Sequence, residues 1–295
     1  MYAFTAIFCF IFGTICGSFI DTVAERWGQD KSIMGRSRCV DCGKILRWRE
    51  LIPIFSFLAL HGKCSACGIK IPKRHLFTET LTGLAFAVLF LSLPTSKYIY
   101  LLDFKNEAAF FINLLFLWLV SGVILVILFS DARFFVIPDL ASIPSAFFIL
   151  SYSFFLDFVA PKIALFSFLH TPAFTGSFHV LPSFYESLLG ALVAALFFFS
   201  ISFVSKGTWM GWGDGKFALM LGALFGWPFV AAIIFLAFVL GSIVGSILMI
   251  KREATMKSLL PFGVFLGASA LFFLIFQNTH DGSAFRLFVE GFVSL

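Results

Sequence analysis

Charged residues are scarce in this sequence. They make up 13% of its 295 residues, whereas hydrophobic residues make up 60%. Soluble domains are typically about a quarter charged and about half apolar. A chain with so few charges cannot cover a water-exposed surface, so we expect a lipid bilayer to be its solvent. Phe alone occurs 44 times, which suits surfaces that face lipid or pack between helices.

Two further patterns are missing. No polar–apolar alternation over about ten residues recurs, which argues against a transmembrane barrel. No basic residue precedes the first apolar run, whereas Arg26, Lys31, Arg36 and Arg38 follow it. A secretory signal peptide has the reverse arrangement of charge. We therefore expect this run to be a retained helix whose N-terminus lies outside the cytoplasm.

Long apolar runs are abundant, and each predicts a transmembrane helix, because ~20 residues cross a hydrocarbon core of ~30 Å. The sequence thus predicts an all-α, polytopic integral membrane protein with about eight transmembrane helices. The sixth run is short and rich in Gly. The predicted spans are 2–20, 76–93, 108–129, 139–159, 184–204, 215–227, 229–250 and 258–276.

The spacing of these runs predicts five regions along the chain. A first transmembrane helix (1–20) is followed by a long polar loop (21–75), and a second helix with its outer loop comes next (76–107). A compact six-helix domain (108–276) precedes an outer tail (277–295).

Basic residues are concentrated on one predicted side of the membrane. The loop 21–75 holds 11 of the 21 Lys and Arg residues, and with this loop inside, 17 of the 21 lie on the cytoplasmic side. Lys and Arg mark cytoplasmic loops, so the polar loop is predicted to be cytoplasmic. The net charge of +5 then reflects topology, and we expect no nucleic-acid partner.

Four cysteines in the polar loop form two paired motifs. Cys39 and Cys42 make the first pair, Cys64 and Cys67 make the second, and 21 residues separate the pairs. Gly follows each pair and permits the tight turn that brings both sulfurs to one ion. This spacing is typical of a tetrahedral four-thiolate Zn²⁺ site. With four protein ligands and no open position for water, the zinc is predicted to be structural.

Other interpretations of the cysteines remain open. The four thiols could be redox-active or merely structural, although a cytoplasmic loop keeps thiols reduced and so favours a metal over disulfides. His61 precedes the second pair and could replace one sulfur, but an ordinary polar loop residue is the simpler interpretation. Cys9 and Cys16 lie inside the first span, where we expect them to be small buried side chains.

Two acids stand at predicted cytoplasmic ends of spans. Asp131 follows the third apolar run, and Asp214 lies in the segment Gly211-Trp212-Gly213-Asp214-Gly215-Lys216. Ionisable groups in a membrane are costly and usually functional. Two facing carboxylates cannot both ionise cheaply, so they share a proton. One can then activate water while the other polarises a peptide carbonyl, and this chemistry predicts an aspartyl peptidase dyad.

Structural roles for these acids also remain open. Asp139 follows Pro138 and precedes an apolar helix, which favours a helix N-cap. Asp131 could pair with Arg133 or Lys216, and Asp214 could itself be an N-cap. From residue chemistry alone, Asp131, Asp139 and Asp214 compete for two catalytic roles.

These motifs, in this order, resemble the bifunctional prepilin peptidases, a GxGD-type family of intramembrane aspartyl proteases. The resemblance covers nearly the whole chain. The matching segments are Gly17-Ser18-Phe19-Ile20, Ser37-Arg38-Cys39, Leu46-Arg47-Trp48, Ile52 to Ser56, Gly62-Lys63-Cys64, Glu79 with Leu81-Thr82-Gly83, Asp131 to Asp139, and Gly211 to Lys216.

The resemblance implies a two-step maturation. A member of this family, in the bacterial inner membrane, cuts the basic leader from type IV pilin or pseudopilin precursors at the cytoplasmic face. It then methylates the new N-terminal amine with S-adenosyl-L-methionine. The family's catalytic roles correspond to Asp131 and Asp214, and Asp139 belongs to the first motif without being catalytic.

The chain departs from the family pattern at two places, both in the region associated with methyl transfer. Asp21 stands where the family usually has Asn, and Arg74-His75-Leu76 stands where the family commonly has Arg-Tyr-Pro. No glycine-rich nucleotide loop is present, so the sequence does not indicate which residues bind S-adenosyl-L-methionine. Two alternatives are a peptidase without methylation and a membrane scaffold or transporter with a zinc-ribbon docking loop.

Overall fold

The computed structural model describes residues 2–29, 31–39, 41–93, 104–159, 162, 181–253, 255 and 258–277. Regular structure within these ranges is helical, with only two isolated β-bridges in the cysteine loop. The helices are α1 (Tyr2–Gly28), α2 (Phe55–Ala59), α3 (Lys73–Ser92), α4 (Phe104–Phe134), α5 (Asp139–Phe154), α6 (Phe184–Val204), α7 (Trp212–Phe225), α8 (Phe229–Ile250) and α9 (Phe262–Gln277).

The predicted all-α membrane fold is confirmed. Six of the described helices are long and apolar enough to cross a bilayer, namely α1, α3, α4, α5 with its π-helical extension Phe155–Val159, α6 and α8. Two apolar helices are shorter, with 14 residues in α7 and 16 in α9. Together these helices follow the eight predicted spans in order, and the cysteine loop lies between the first two.

Two helices run further than their apolar runs predicted. The span predicted at 2–20 continues as helix to Gly28, and the span predicted at 108–129 continues to Phe134. An apolar run ends at the first charged residue. A helix can continue past that residue when its charge is satisfied by an ion pair or a hydrogen bond within the protein. Asp21 and Asp131 are consequently helical residues. The predicted outer tail, apart from Gln277, and most of 94–103 and 160–180 lie outside the described residues.

Small residues set the closest helix contacts. In the α1–α3 pair, a Cβ on Gly13 would lie 2.9 Å from the Cα of Gly83. In the α6–α7 pair, a Cβ on Gly222 would lie 2.3 Å from the carbonyl oxygen of Gly190. Membrane helices associate by such close backbone packing, because lipid offers no hydrophobic drive between them.

The short helix α7 is the most enclosed part of the bundle. Ten of its residues are buried, among them Phe217, Leu221 and Phe225, whereas α8 presents Phe235, Ile243 and other apolar side chains to its surroundings. The ends of α1 and α4 are joined by an ion pair, and the starts of α7 and α9 both contact the segment that ends α4. The end of α4 and the starts of α7 and α9 therefore lie at the same end of the bundle as the cysteine loop.

Candidate functional site

Two buried carboxylates converge at this end of the bundle. Asp131 lies in the last turn of α4 and is 5% exposed, and Asp214 lies in the first turn of α7 and is 9% exposed. Both lie around the Ile137 side chain, which packs against Gly213 next to Asp214 and against Gly263 beside the Asp131 carboxylate. The structure thus brings together the two acids that the sequence singled out, although 83 positions separate them in the chain.

The N-terminus of α9 holds the Asp131 carboxylate. The backbone N–H of Val264 donates to Oδ2 of Asp131 at 3.2 Å. A Cβ on Gly263 would lie only 2.8 Å from the same oxygen. A helix N-terminus offers free N–H groups and a positive dipole end, and both favour a nearby anion. The sequence analysis missed Gly263, since its contribution is the absence of a side chain and no motif marks it.

The start of α7 holds the Asp214 carboxylate. The N-cap of this helix is Gly211, and its N–H donates to Oδ2 of Asp214 at 3.2 Å. Asp214 is the third residue of the helix, so the alternative that made it the N-cap is wrong. A Cβ on Gly213 would lie 2.9 Å from the Cβ of Ile137, and the Ile137 side chain also reaches the position that a Cβ on Gly263 would take. Ile137 therefore packs against both glycines.

The cations that could have neutralised Asp131 are engaged elsewhere. Arg133 donates to Asp21 on α1, and Lys216 donates to both carboxylate oxygens of Asp139 at 2.7 Å. The predicted alternatives that paired Asp131 with either cation are therefore wrong. Within the part of the chain that the structure describes, Asp131 and Asp214 form no ion pair.

The predicted N-cap role of Asp139 is also wrong. The N-cap of α5 is Pro138, and Asp139 is the first helical residue. Its side chain is 59% exposed and turns to Lys216 on α7 instead of capping its own helix. Asp139 therefore lies at the same end of the bundle as the two buried acids but is exposed and paired with a cation.

Another buried acid, Asp21, connects three helices. Asp21 of α1 is 3% exposed and lies between Arg133 of α4 and the Nδ1 of His75 of α3. One turn along α1, Glu25 pairs with Arg74 at 3.3 Å. Two residues that depart from the family pattern, at positions 21 and 75, thus contact each other. The sequence analysis missed this contact, because 54 positions separate its partners.

The four cysteines form one cluster. The Sγ atoms of Cys39, Cys42, Cys64 and Cys67 all lie within 4.8 Å of one another, and those of Cys39 and Cys67 are 3.8 Å apart. A tetrahedral zinc with Zn–S bonds of about 2.3 Å has sulfurs about 3.8 Å apart. The donor set therefore fits a four-thiolate zinc. His61 is exposed and lies outside this cluster.

The two halves of the cluster share the same backbone hydrogen-bond pattern. The N–H of Cys39 donates to the carbonyl of Lys44 at 2.9 Å, and the N–H of Cys64 donates to that of Ile69 at 2.8 Å. The glycine after each pair has φ near +70°, as the sequence predicted (+68° for the first and +73° for the second). The N–H groups of Cys67 and Ala66 lower the pKa of the Cys64 thiol, which favours the thiolate that binds metal.

Glu50 connects the two halves. Its carboxylate accepts from the Lys44 ammonium at 2.8 Å, from the Arg47 N–H at 2.7 Å and from the Ser65 hydroxyl. The Arg47 N–H, followed by Lys44 and Ser65, lowers the pKa of Glu50 to about 2. The sequence analysis missed this role, since an isolated Glu in a loop carries no motif.

A cavity of about 490 Å³ lies between α1, α3 and the cysteine loop. Ser18, Asp21, His75 and Glu79 line its helical wall. Glu79 is 9% exposed and accepts the N–H of Ile54 at 2.8 Å, which ties the loop to α3. Small-molecule sites are typically clefts of about 300–1,000 Å³ with a few convergent polar groups, so this cavity has the size and polarity to hold a cofactor.

Two family models match the chain. The bacterial peptidase A24 N-terminal domain matches residues 11–93, which contain α1, the cysteine loop and α3. The type IV leader peptidase family matches residues 115–246, which contain Asp131 and Asp214. No solved structure matches the chain.

Curated relatives cover both regions together. A prepilin leader peptidase/N-methyltransferase of Bacillus subtilis is 30% identical over 271 residues, which is 92% of this chain and 94% of the relative. Proteins of the same name from Myxococcus xanthus and Pseudomonas aeruginosa are each 29% identical over 83% of this chain. The match spans 63% of the Myxococcus protein and 73% of the Pseudomonas protein.

Proposed function

The chain belongs to the type IV leader peptidase family, and from this premise we propose that it cleaves the leader from prepilin-like precursors with Asp131 and Asp214. The observation that carries this assignment is a pair of buried carboxylates, brought to the same end of the bundle at the end of α4 and the start of α7, that have no cationic partner among the described residues. Structural acids in a membrane are expected to pair with cations. Two buried carboxylates without a cation cost free energy, and a catalytic role in peptide hydrolysis accounts for their presence.

The proposed chemistry follows from the surroundings of each acid. Two adjacent buried carboxyl groups hold one proton between them. The ionised member removes a proton from water, and the protonated member donates to the scissile carbonyl oxygen. Attack by this water forms a tetrahedral intermediate, and its collapse with a proton returned to the amine breaks the peptide bond. The N–H donors at Val264 and Gly211 keep one oxygen of each acid in place.

The proposed substrates are type IV pilin or pseudopilin precursors, cut at the cytoplasmic face of the bacterial inner membrane. The curated relatives are named for prepilin leaders. The end of the bundle that holds the two acids also carries the cysteine loop with its 11 basic residues, and a basic loop favours the cytoplasmic side.

The proposed metal is a structural Zn²⁺ held by Cys39, Cys42, Cys64 and Cys67. It would supply four strong bonds to a loop that contains little regular structure, and metal binding of this kind contributes directly to folding. No position remains for a substrate on a metal with four thiolates. The zinc therefore shapes the face of the protein next to the cavity and takes no part in peptide hydrolysis.

The proposed second step is methylation of the new N-terminal amine. S-adenosyl-L-methionine would supply a methyl group at this amine, and the cavity beside the cysteine loop is the site we assign to it. Glu79 in its wall offers negative charge to a sulfonium and to an amine, whereas the charge of Asp21 is taken by Arg133 and His75. The relatives named as N-methyltransferases support this step.

Mass spectrometry on a purified prepilin precursor tests both steps. We expect the detergent-purified protein to shorten the precursor by the mass of its leader, and S-adenosyl-L-methionine to add one methyl group to the product. Asp214→Asn should abolish cleavage. Asp139→Asn is the matched control, because Asp139 lies at the same end of the bundle but is exposed and paired with Lys216.

Each outcome separates the alternatives. Cleavage without a methyl group would indicate a peptidase that lacks methylation. No cleavage of any of several precursors would favour a scaffold or transporter with a zinc-ribbon docking loop. Equal cleavage by the wild-type protein and by Asp214→Asn would overturn the assignment of the pair.

A further inference from the structure

Arg133 connects the peptidase pair to the first helix of the chain. It lies on α4 only two residues after Asp131, and its side chain crosses to Asp21 on α1. Residues two apart on a helix do not face the same side. The last turn of α4 is therefore held from two sides, by α9 through Asp131 and by α1 through Arg133.

The contact between Arg133 and Asp21 is buried. The Arg133 side chain is 14% exposed, and that of Asp21 is 5% exposed. The ring of Phe129, one turn earlier on α4, lies 5.8 Å from the guanidinium carbon. Among the described residues, the other terminal nitrogen of Arg133, Nη1, has no hydrogen-bond partner. The ion pair and the hydrogen bond of this guanidinium both go to Asp21, so Asp21 holds it in place.

The end of α4 needs such an anchor. The helix stops at Phe134, and Phe135 follows with a φ of +55°, a conformation that is uncommon for a large side chain. Helix ends fray unless they are tied down by tertiary contacts. A catalytic group must stay within about 0.5 Å of its productive position, and a misplacement of about 1 Å can reduce the rate about 100-fold.

We propose that Asp21 is a positioning residue for peptide cleavage. Through Arg133 it fixes the last turn of α4 and so the direction of the Asp131 carboxylate, without touching the substrate itself. This proposal rests on the proposed function, since it assumes that Asp131 is catalytic. It also means that the first helix, which lies outside the segment matched by the type IV leader peptidase model, contributes to the peptidase site.

The chain offers a matched control at Glu25. Asp21 and Glu25 lie one turn apart on α1, and their partners on α3 are the neighbouring residues His75 and Arg74. Both acids therefore connect α1 to α3, but only Asp21 also reaches α4. A defect shared by Asp21→Asn and Glu25→Gln would come from the α1–α3 contact, whereas one confined to Asp21→Asn would come from α4.

The experiment measures kcat and KM for leader cleavage by the full-length protein, together with its melting temperature. We expect Asp21→Asn to lower kcat by about 10- to 100-fold with little change in KM. Glu25→Gln should retain the kcat of the wild-type protein. Asp131→Asn is measured beside them, because its residual activity would indicate failure of the proposed function and not of this inference alone.

A double variant distinguishes positioning from simple destabilisation. Asp21→Asn alone leaves the Arg133 charge buried without a partner, which is destabilising in itself. Asp21→Asn combined with Arg133→Met removes that charge and keeps an unbranched side chain. We expect the melting temperature to recover while kcat stays low, because the anchor of α4 is still absent.

Three results would overturn the proposal. One is a kcat of Asp21→Asn that stays within about threefold of the wild-type value, which is roughly the scatter expected of surface substitutions. The second is an equal loss in Glu25→Gln. The third is recovery of kcat together with the melting temperature in the double variant.

Discussion

The acids at one end of this bundle fall into two groups. Asp21, Glu25, Asp139 and Glu50 each pair with a basic side chain, whereas the buried acids Asp131 and Asp214, like Glu79, pair with no cation in the described ranges. Both groups lie among many cations, so the difference does not come from a shortage of positive charge. It teaches that an acid paired with a cation has a structural role, and that the proposed catalytic acids are the two unpaired ones at the meeting ends of α4 and α7.

Burial alone would not have separated them. Asp21 is as buried as Asp131, and Glu79 is as buried as Asp214. Asp21 is neutralised from two sides, and Glu79 receives the Ile54 N–H and secures the cysteine loop. A buried carboxylate that lacks a cation and lies beside a second one is costly to retain, and catalysis is the reason we propose for its presence.

The largest effect on cleavage is expected when the two unpaired acids, Asp131 and Asp214, are replaced. We expect Asp131→Asn and Asp214→Asn each to reduce kcat on the order of 10³-fold or more, and the double variant to be no worse than either one. Groups that act as a unit are grossly non-additive. Single-turnover cleavage assays check this, and losses that multiply in the double variant would show that the two acids act independently.

A smaller effect is expected when only the position of Asp131 changes. A Cβ on Gly263 would lie 2.8 Å from Oδ2 of Asp131, so Gly263→Ala should displace this carboxylate and lower kcat about 100-fold. Gly267→Ala is the control one turn along α9, where the nearest contact would be an ordinary 3.4 Å. Equal rates in the two variants would show that the α9 contact does not position Asp131.

Removal of the metal tests whether the zinc holds the loop 21–75, which is the region that contains most of the paired acids. We expect Cys39→Ser to lose zinc and to loosen the loop 21–75, because one ligand of the tetrahedral site is gone. Elemental analysis and limited proteolysis measure these changes. Unchanged zinc content after replacing two of the four cysteines would contradict the site.

The smallest effect is expected at an exposed, paired acid. Asp139→Asn removes a contact whose carboxylate side chain is 59% exposed, and exposed ion pairs contribute only about 0–1 kcal/mol. The cleavage rate should stay within about threefold of the wild-type rate. A loss as large as that in Asp214→Asn would place Asp139 among the catalytic acids and remove the distinction between the two groups.

Apolar runs predicted the helices well, because each run had to match the bilayer thickness. The same runs ended α1 and α4 too early, since hydropathy does not reveal that Asp21 is paired with Arg133 and His75 or that Asp131 receives a backbone N–H from α9. The cysteine cluster was predictable because ligand spacing is local. The contacts of Arg133, Lys216 and Gly263 were not, because they depend on which helix ends meet and on the absence of a side chain.

The central claim is that Asp131 hydrolyses the leader peptide bond together with Asp214. The most direct measurement is the leader-cleavage rate of purified Asp131→Asn, with its melting temperature and zinc content confirmed as those of the wild-type protein. The account predicts no detectable mass loss in a prepilin precursor over a time in which the wild-type protein cleaves all of it. Cleavage at the wild-type rate would contradict it.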